Sequence, residues 1–299
     1  MSVARERTGE LRAADGVRLH YRSWPTPSER AVLLVSHGLG EHGGRYAEVA
    51  RELTEHGVTV HAIDHRGHGR SGGRRGHVAH FGEFVRDFET FRAAITKEHP
   101  SAPLFLLGHS MGGLIAIHHL QTHPEAGYRG AILSAPLVGI AVQAPRWKVA
   151  LSGVLSRLVP WLPFHNEIDT AMLSTAPGYE DSYRADTLLH NTITPRLYTE
   201  MVSAIHGAFE RPHGIRVPLL VLAPTADRVV LPEAVARFAS ACPGEVEVKR
   251  YEGFQHESLN EKDRAHVVAD VTAWLNDRFK DPGSRFNQGS GERTTRRPR

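Results

Sequence analysis

A serine between two glycines carries the clearest chemical signal in this sequence. Gly108, Ser110 and Gly112 have the spacing of a nucleophilic serine on a sharp strand-to-helix turn. The apolar run Leu104–Leu107 precedes this motif, and the helical pattern Leu114–Leu120 follows it. Glycine suits such a turn because it has no Cβ atom to crowd the neighbouring backbone. We therefore predict that Ser110 is a catalytic nucleophile, presented at the carboxyl edge of a sheet.

A serine hydroxyl is a poor nucleophile until a base takes its proton, and a third group usually orients that base. For a serine on this kind of turn, the acid comes before the histidine along the chain. Asp227 is the first carboxylate after the strand pattern Pro218–Leu222. Glu233 comes next, but it falls in the first turn of a helix that begins near Pro232. We predict that Asp227 is the acid.

The base should follow the next strand. The strand pattern Val246–Val248 leads through Tyr251–Gln255 to His256. His266 is the other downstream candidate, but it lies inside the pattern of the final helix, where a packed or solvated histidine is the simpler interpretation. The chain contains 20 histidines, so position and not residue type selects His256.

Two backbone amides are candidates for binding the oxyanion that forms when a serine attacks a carbonyl. One belongs to Met111, directly after the nucleophile. The other is expected in the loop Ser36–Gly40, which follows the strand pattern Ala31–Val35, and we assign it to Leu39. Each such donor typically lowers the barrier by about 3 kcal/mol.

The elements that must position these residues alternate between strands and helices. Short apolar runs predict six strands: Ala31–Val35, Val58–Ile63, Pro103–Leu107, Ala131–Leu133, Pro218–Leu222 and Val246–Val248. Helical patterns lie between them, and a hairpin around Asp15-Gly16 is expected before them. This alternation predicts an α/β fold with a mostly parallel, doubly wound sheet and helices on both faces.

One stretch, about residues 139–211, shows no clear strand and predicts a helical lid inserted into a single domain of residues 1–279. Its apolar residues are Trp147, Leu151, Leu155, Leu158, Trp161 and Phe164. Two interpretations stay open: these groups pack onto the body, or some face a lipid surface when the lid opens. Residues 280–299 are rich in Gly, Ser, Arg, Thr and Pro, which predicts a disordered tail.

Charge and composition exclude several classes of function. The net charge is +3, but six basic and only two acidic residues lie from Lys280 onward, so the folded body is near neutral and a nucleic-acid partner is not expected. Cys242 is the single cysteine, which excludes an internal disulfide and a thiolate metal cluster. Without an apolar signal segment or an eighteen-residue apolar run, a cytoplasmic location is expected, with peripheral membrane contact through the lid as an option.

At these motifs the sequence resembles the monoacylglycerol lipase family of serine α/β-hydrolases, and its spacing is similar to that of the bacterial members from about Leu11 to Phe279. The matching segments are His37–His42 with Arg45-Tyr46, Asp64–Ser71, Gly108–Gly113, and His256-Glu257 with Asn260-Glu261. The serine motif is shared by many hydrolases, whereas the Gly-Leu-Gly-Glu-His segment is more specific. The same signature also labels lysophospholipases.

The resemblance implies a monoester acyl hydrolase with a lid over an apolar acyl channel. Such an enzyme is expected to need no metal or organic cofactor. It implies Ser110, Asp227 and His256 as the catalytic triad, with Leu39 and Met111 as the oxyanion hole. Glu41 and Arg45 match positions near the polar head of the substrate, but they could instead pair with each other and brace the loop. Asp64 and Arg66 are expected to fix a structural turn.

Several activities remain open at this point. The predicted substrate is a monoacylglycerol; a lysophospholipase or a broad-specificity carboxylesterase would use the same chemistry. Epoxide and haloalkane hydrolysis need a carboxylate nucleophile, which Ser110 argues against, whereas peptide or C–C bond cleavage is compatible with the triad. A non-catalytic ligand-binding or membrane-docking protein is the alternative of another class. The oligomeric state does not follow from the sequence.

Overall fold

The computed structural model describes residues 5–142 and 146–279, with only the backbone of residues 146–150. The strands of the main sheet are β1 (Arg7–Arg12), β2 (Arg18–Trp24), β3 (Ala31–Ser36), β4 (Val58–Ile63), β5 (Leu104–His109), β6 (Tyr128–Ser134), β9 (Leu219–Pro224) and β10 (Val246–Tyr251). They lie in the order β1-β2-β4-β3-β5-β6-β9-β10. The pairs β1–β2 and β2–β4 are antiparallel and the other pairs are parallel. The expected hairpin and the mostly parallel sheet are therefore confirmed.

The central strands β3 and β5 are nearly continuous apolar runs because both faces of the sheet are covered there. In β3, Val32 and Leu34 pack into one core, while Leu33 and Val35 pack into a second core on the opposite face. This division follows from the alternation of side chains along a strand. A sheet buried on both faces needs helices on each side.

The helices supply those two layers. They are α1 (Ala47–Glu55), α2 (Gly82–Glu98), α3 (Met111–Thr122), α4 (Arg146–Leu158), α5 (Tyr179–Ala185), α6 (Pro195–Glu210), α7 (Pro232–Ala241) and α8 (Arg264–Phe279). Buried residues of α1 and α8 belong to one core, and those of α2, α3, α6 and α7 to the other. The doubly wound arrangement is confirmed.

The chain between β6 and β9 holds α4, α5 and α6, in the region expected to form a helical insert. It also contains two strands that the sequence did not predict, β7 (Phe164–His165) and β8 (Thr192–Ile193), which pair antiparallel. Two-residue strands are too short to produce an alternating pattern. The domain boundaries stay a prediction, and the proposed tail at 280–299 lies outside the described residues, as does the Trp147 side chain.

The second half of this insert is fastened to the loops at the edge of the sheet. His190 N–H donates to the Gly40 carbonyl at 2.9 Å, and Thr194 N–H donates to the Gly76 carbonyl at 3.0 Å. The Asp186 carboxylate lies 2.8 Å from His42 Nε2. The contacts of His190 and Asp186 hold the insert against the chain on the C-terminal side of Leu39. No helix in the described ranges is long and apolar enough to cross a bilayer.

Candidate active site

Ser110 lies at the turn between β5 and α3 in a strained backbone conformation. Its φ of 51° and ψ of −120° fall where residues with a Cβ atom are rarely found. Its N–H donates to the Ser134 carbonyl at 3.0 Å, and its own carbonyl accepts from Leu114 and Leu137 at 3.1 and 3.0 Å. These bonds hold the strain in place, so the serine is fixed at the carboxyl edge of the sheet.

The glycines beside Ser110 are required by close backbone contacts. A Cβ atom at Gly112 would collide with the Ser36 carbonyl oxygen, and one at Gly108 would lie 2.6 Å from the Gly112 carbonyl oxygen. The spacing of the motif therefore reflects steric crowding at the turn, as the sequence predicted.

Asp227 and His256 are brought together although 29 residues separate them. Asp227 follows β9, and its Oδ1 accepts hydrogen bonds from Val229 N at 2.8 Å and Val230 N at 2.9 Å. Its Oδ2 lies 2.8 Å from His256 Nδ1, and both side chains are buried. The two backbone donors fix the carboxylate so that its second oxygen faces the imidazole, which leaves His256 Nε2 for proton transfer.

The surroundings of His256 favour a basic imidazole. Burial alone would lower its pKa, but the Asp227 carboxylate outweighs burial and raises the pKa above its ordinary value of 6.5. The neighbouring His109 ring lies 4.8 Å away between centroids, and burial lowers its pKa to about 3, so it stays neutral. The Ser110 hydroxyl is not hydrogen-bonded to His256 in the described structure, which is common before substrate binds.

The loop after β3 passes close to Ser110. A Cβ atom on Gly38 would lie 3.2 Å from Ser110 Cβ, so this loop and the serine nearly touch. Leu39 lines the same pocket as Ser110, and Met111 is the first residue of α3. Both residues predicted to offer amide donors therefore flank the serine.

Glu41 braces this loop through hydrogen bonds to its side chain. Its Oε1 accepts from Gly38 N at 2.5 Å and from the Tyr46 hydroxyl at 3.1 Å, and only 4% of the residue is exposed. Burial raises the pKa of Glu41 to about 7, although Arg45 opposes that rise. The Arg45 Nη1 to Glu41 Oε2 distance is 3.7 Å, so the expected pairing exists but is the weaker contact of each residue.

The principal partner of Arg45 is Glu257, which the sequence analysis placed in a matching segment but gave no role. Arg45 Nη1 and Nη2 donate to the two carboxylate oxygens of Glu257 at 3.0 and 2.7 Å, and Nη2 also donates to the Tyr179 hydroxyl at 3.0 Å. Burial would raise the Glu257 pKa, but Arg45 outweighs it and the pKa is lowered. The one signal in the sequence was that Glu257 directly follows His256; its partner is 212 residues away.

An apolar pocket opens beside Ser110 between the sheet edge and the insert. Its walls are mostly aliphatic and aromatic, and they include Leu39, Leu137, Ile140, Leu155, Phe164, Ile193, Tyr198, Met201 and Val229. Leu155 and Phe164 of the insert thus face the pocket. Leu158 and Trp161, by contrast, are 70% and 51% exposed. The packing interpretation thus holds for Leu155 and Phe164, and contact of the exposed residues with lipid stays a prediction.

The competing candidates from the sequence lie elsewhere. Glu233 is in the first turn of α7, and His266 is exposed on α8.

Asp64 is buried and accepts from Arg22 Nη1, Gly43 N and Arg70 N, each at 2.8 Å. Arg66 pairs with three carboxylates, those of Asp15, Glu83 and Asp87. Asp64 and Arg66 therefore fix the turn after β4, as predicted.

The sheet order, the helical insert and a serine on a strained turn after β5 define an α/β-hydrolase, and the chain is a serine hydrolase of that class. A family model described as "Serine aminopeptidase, S33" matches residues 27–263, and the chain belongs to that family. The sequence resemblance placed it in the same group of hydrolases.

Several proteins similar to this chain are lipases that carry names. A monoacylglycerol lipase of Mycolicibacterium smegmatis is 36% identical over 264 residues, which are 87% of this chain and 93% of the relative. The human monoglyceride lipase is 34% identical over 277 residues, covering 91% of each. The crystal structure of a monoacylglycerol lipase from Paleococcus ferrophilus matches with a TM-score of 0.79 at 30% identity, over 87% of this chain and 99% of that one.

Proposed function

We propose that this protein hydrolyses monoacylglycerols to a fatty acid and glycerol through an acyl intermediate on Ser110. The observation that carries the proposal is an apolar pocket whose lining includes the serine of a strained turn, next to a buried histidine–carboxylate pair. An apolar pocket suits an acyl chain, and the serine at its wall is placed to meet the ester carbonyl. The similarity to monoacylglycerol and monoglyceride lipases supports the choice of substrate.

In the proposed reaction, Ser110 Oγ attacks the ester carbonyl while His256 Nε2 accepts the hydroxyl proton. Asp227 holds His256 in the required tautomer and stabilises the imidazolium. The amides of Leu39 and Met111 donate to the oxyanion. His256 then protonates the departing glycerol oxygen, and water activated by the same imidazole releases the fatty acid from Ser110.

A substrate panel tests this specificity. We expect the highest kcat/KM on 1- or 2-monoolein, with lower values on diolein, triolein, lysophosphatidylcholine and alanine p-nitroanilide. Relatives include proteins called a phospholipase and a lysophospholipase, at 28% and 30% identity, and the family description names an aminopeptidase. A higher kcat/KM on lysophosphatidylcholine or on the anilide would make that compound, and not a monoacylglycerol, the preferred substrate. The proposed role of Ser110 as the nucleophile would not change.

We propose that the exposed apolar residues of the insert contact lipid surfaces. Leu151, Val154, Leu158, Trp161 and Leu162 are each more than 40% exposed on α4 and the turn after it. An apolar patch of this kind next to a lipid-binding pocket would let substrate pass from a membrane without crossing water.

The double variant Leu158→Ser/Trp161→Ser is expected to co-sediment less with phosphatidylcholine vesicles and to keep its activity on a short, soluble ester. Val248→Ser is a matched control, because Val248 is 42% exposed but lies on the edge strand β10. Equal vesicle binding by the double variant and the control would contradict a role for the insert in lipid contact.

We propose that Glu41 is a positioning residue for the Leu39 amide. Glu41→Ala removes the acceptor for Gly38 N–H, so the loop loses its brace, and kcat is expected to fall by about 100-fold, the cost of a small misplacement. Glu41→Gln keeps an oxygen acceptor and should recover most of that loss with KM nearly unchanged. If both variants raise KM and leave kcat intact, Glu41 contacts the substrate head group instead.

A further inference from the structure

A second cluster of chemically capable side chains lies at the far end of α3, away from the proposed catalytic serine. One atom each from Glu89, His119 and His123 lies within 4.8 Å of the others. His119 and His123 are four residues apart on α3 and at its C-cap, and their rings stack with centroids 4.7 Å apart. Glu89 faces them from α2. With 1.5 Å of rise per residue, His119 and His123 lie about 14 and about 20 Å from Ser110 along the helix axis.

We propose that Glu89, His119 and His123 form a binding site for a divalent transition-metal ion, and that zinc is the ion their donors suit best. Two imidazoles and one carboxylate are a common zinc donor set, with water completing the coordination. In a tetrahedral site the ligand atoms are about 3.3 Å apart. The His119 Nε2 to Glu89 Oε2 distance is already 3.6 Å. The half-buried ring of His123 would turn out of its stack with His119 to bring a nitrogen to a similar distance.

The state of the two histidines suits metal ligation. His119 is completely buried, and its Nε2, the nitrogen near Glu89, has the Tyr128 hydroxyl as its one hydrogen-bond partner in the described part of the chain. His123 Nδ1 is bonded to Thr122 Oγ1 at 2.9 Å, the kind of outer contact that orients a ligating imidazole through its other nitrogen.

The groups around the cluster modify the site without closing it. Arg92 Nε and Nη2 donate to the two Glu89 oxygens at 2.7 and 2.6 Å. A carboxylate has about four acceptor positions, so two remain for a metal. Arg92 thus orients Glu89, while its positive charge lowers the affinity. Metal binding would replace the contact between the Tyr128 hydroxyl and His119 Nε2, which is 3.2 Å long.

Such a site would cross-link α2 and α3, since Glu89 comes from one helix and the histidines from the other. An ion that binds only the folded protein stabilises it in proportion to its concentration relative to Kd. The expected consequence is therefore a rise in Tm with added zinc, with no change in the chemistry at Ser110.

The test uses the full chain without a polyhistidine tag. Zinc titrated by calorimetry should bind the wild type at one site, and His123→Gln should weaken that binding by at least about tenfold. His266→Gln is the matched control, because His266 is exposed on α8. Zinc should raise Tm for the wild type and the control but not for His123→Gln. No zinc binding to the wild type, or equal binding and equal Tm shifts for His123→Gln, would overturn the proposal.

Discussion

Ser110→Ala should lower kcat on a p-nitrophenyl ester by about 10⁶-fold, the loss found when a catalytic serine is removed from an intact triad. Ser110 supplies the atom that becomes acylated, and the remaining groups can only polarise the substrate. Ser110 already carries a Cβ atom at its φ of 51°, so alanine adds no new strain and the Tm should be preserved. Initial rates and thermal unfolding of the same preparations measure both quantities.

A serine far from the site in sequence serves as the control for Ser110→Ala. Ser240 is exposed on α7, and Ser240→Ala should keep full activity. A fluorophosphonate probe should label the wild type and Ser240→Ala but not Ser110→Ala. Near wild-type turnover by Ser110→Ala would refute the proposed nucleophile, and failure of the probe to label the wild type would favour a non-catalytic role for this fold.

Asp227→Asn should lower kcat by about 10⁴-fold without unfolding the protein. The asparagine keeps the shape of the side chain and can still accept from Val229 and Val230. It removes the charge that stabilises the His256 imidazolium, and its amide favours the wrong tautomer of the ring. The loss should therefore appear in kcat on every ester, whatever the acyl chain.

The pH dependence of Asp227→Asn tests separately whether the Asp227 carboxylate raises the pKa of His256. In the wild type, neutral His256 is the active form, so kcat/KM should rise as pH increases through a pKa above 6.5. Without the Asp227 carboxylate the pKa of His256 falls, and the acid limb of the residual activity should move to lower pH. Glu233→Gln is the control and should change neither rate nor pH profile. Loss of activity in Glu233→Gln instead would transfer the role to Glu233.

The parts of the site that the sequence predicted are those encoded locally. The order of strand, sharp turn and helix around Ser110 is written in adjacent residues, and the places of Asp227 and His256 follow from the strands that precede them. Glu233 and His266 could be set aside for the same reason, because each falls within a helical pattern. The apolar runs also predicted helices on both faces of the sheet, since the central strands β3, β4 and β5 are buried on both faces.

The parts that escaped prediction depend on contacts between distant residues. Arg45 and Glu257 are 212 residues apart, and no local pattern indicates that their side chains meet. Glu41 and Arg45 could be expected to pair because they are four residues apart, but each has a closer partner in space. The strands β7 and β8 of the insert could not be predicted either, because each is only two residues long.

The attachment of His190 to Gly40 limits how this protein can diverge. Gly40 has a φ of 79°, and a Cβ atom there would collide with the His190 carbonyl. Residues 186–194 and the loop that carries Leu39 must therefore change together over evolution, whereas the exposed tip of α4 around Leu158 is less constrained. A chimera that exchanges only the α4 tip between relatives should fold and turn over substrate, and one that exchanges residues 186–194 alone should lose activity.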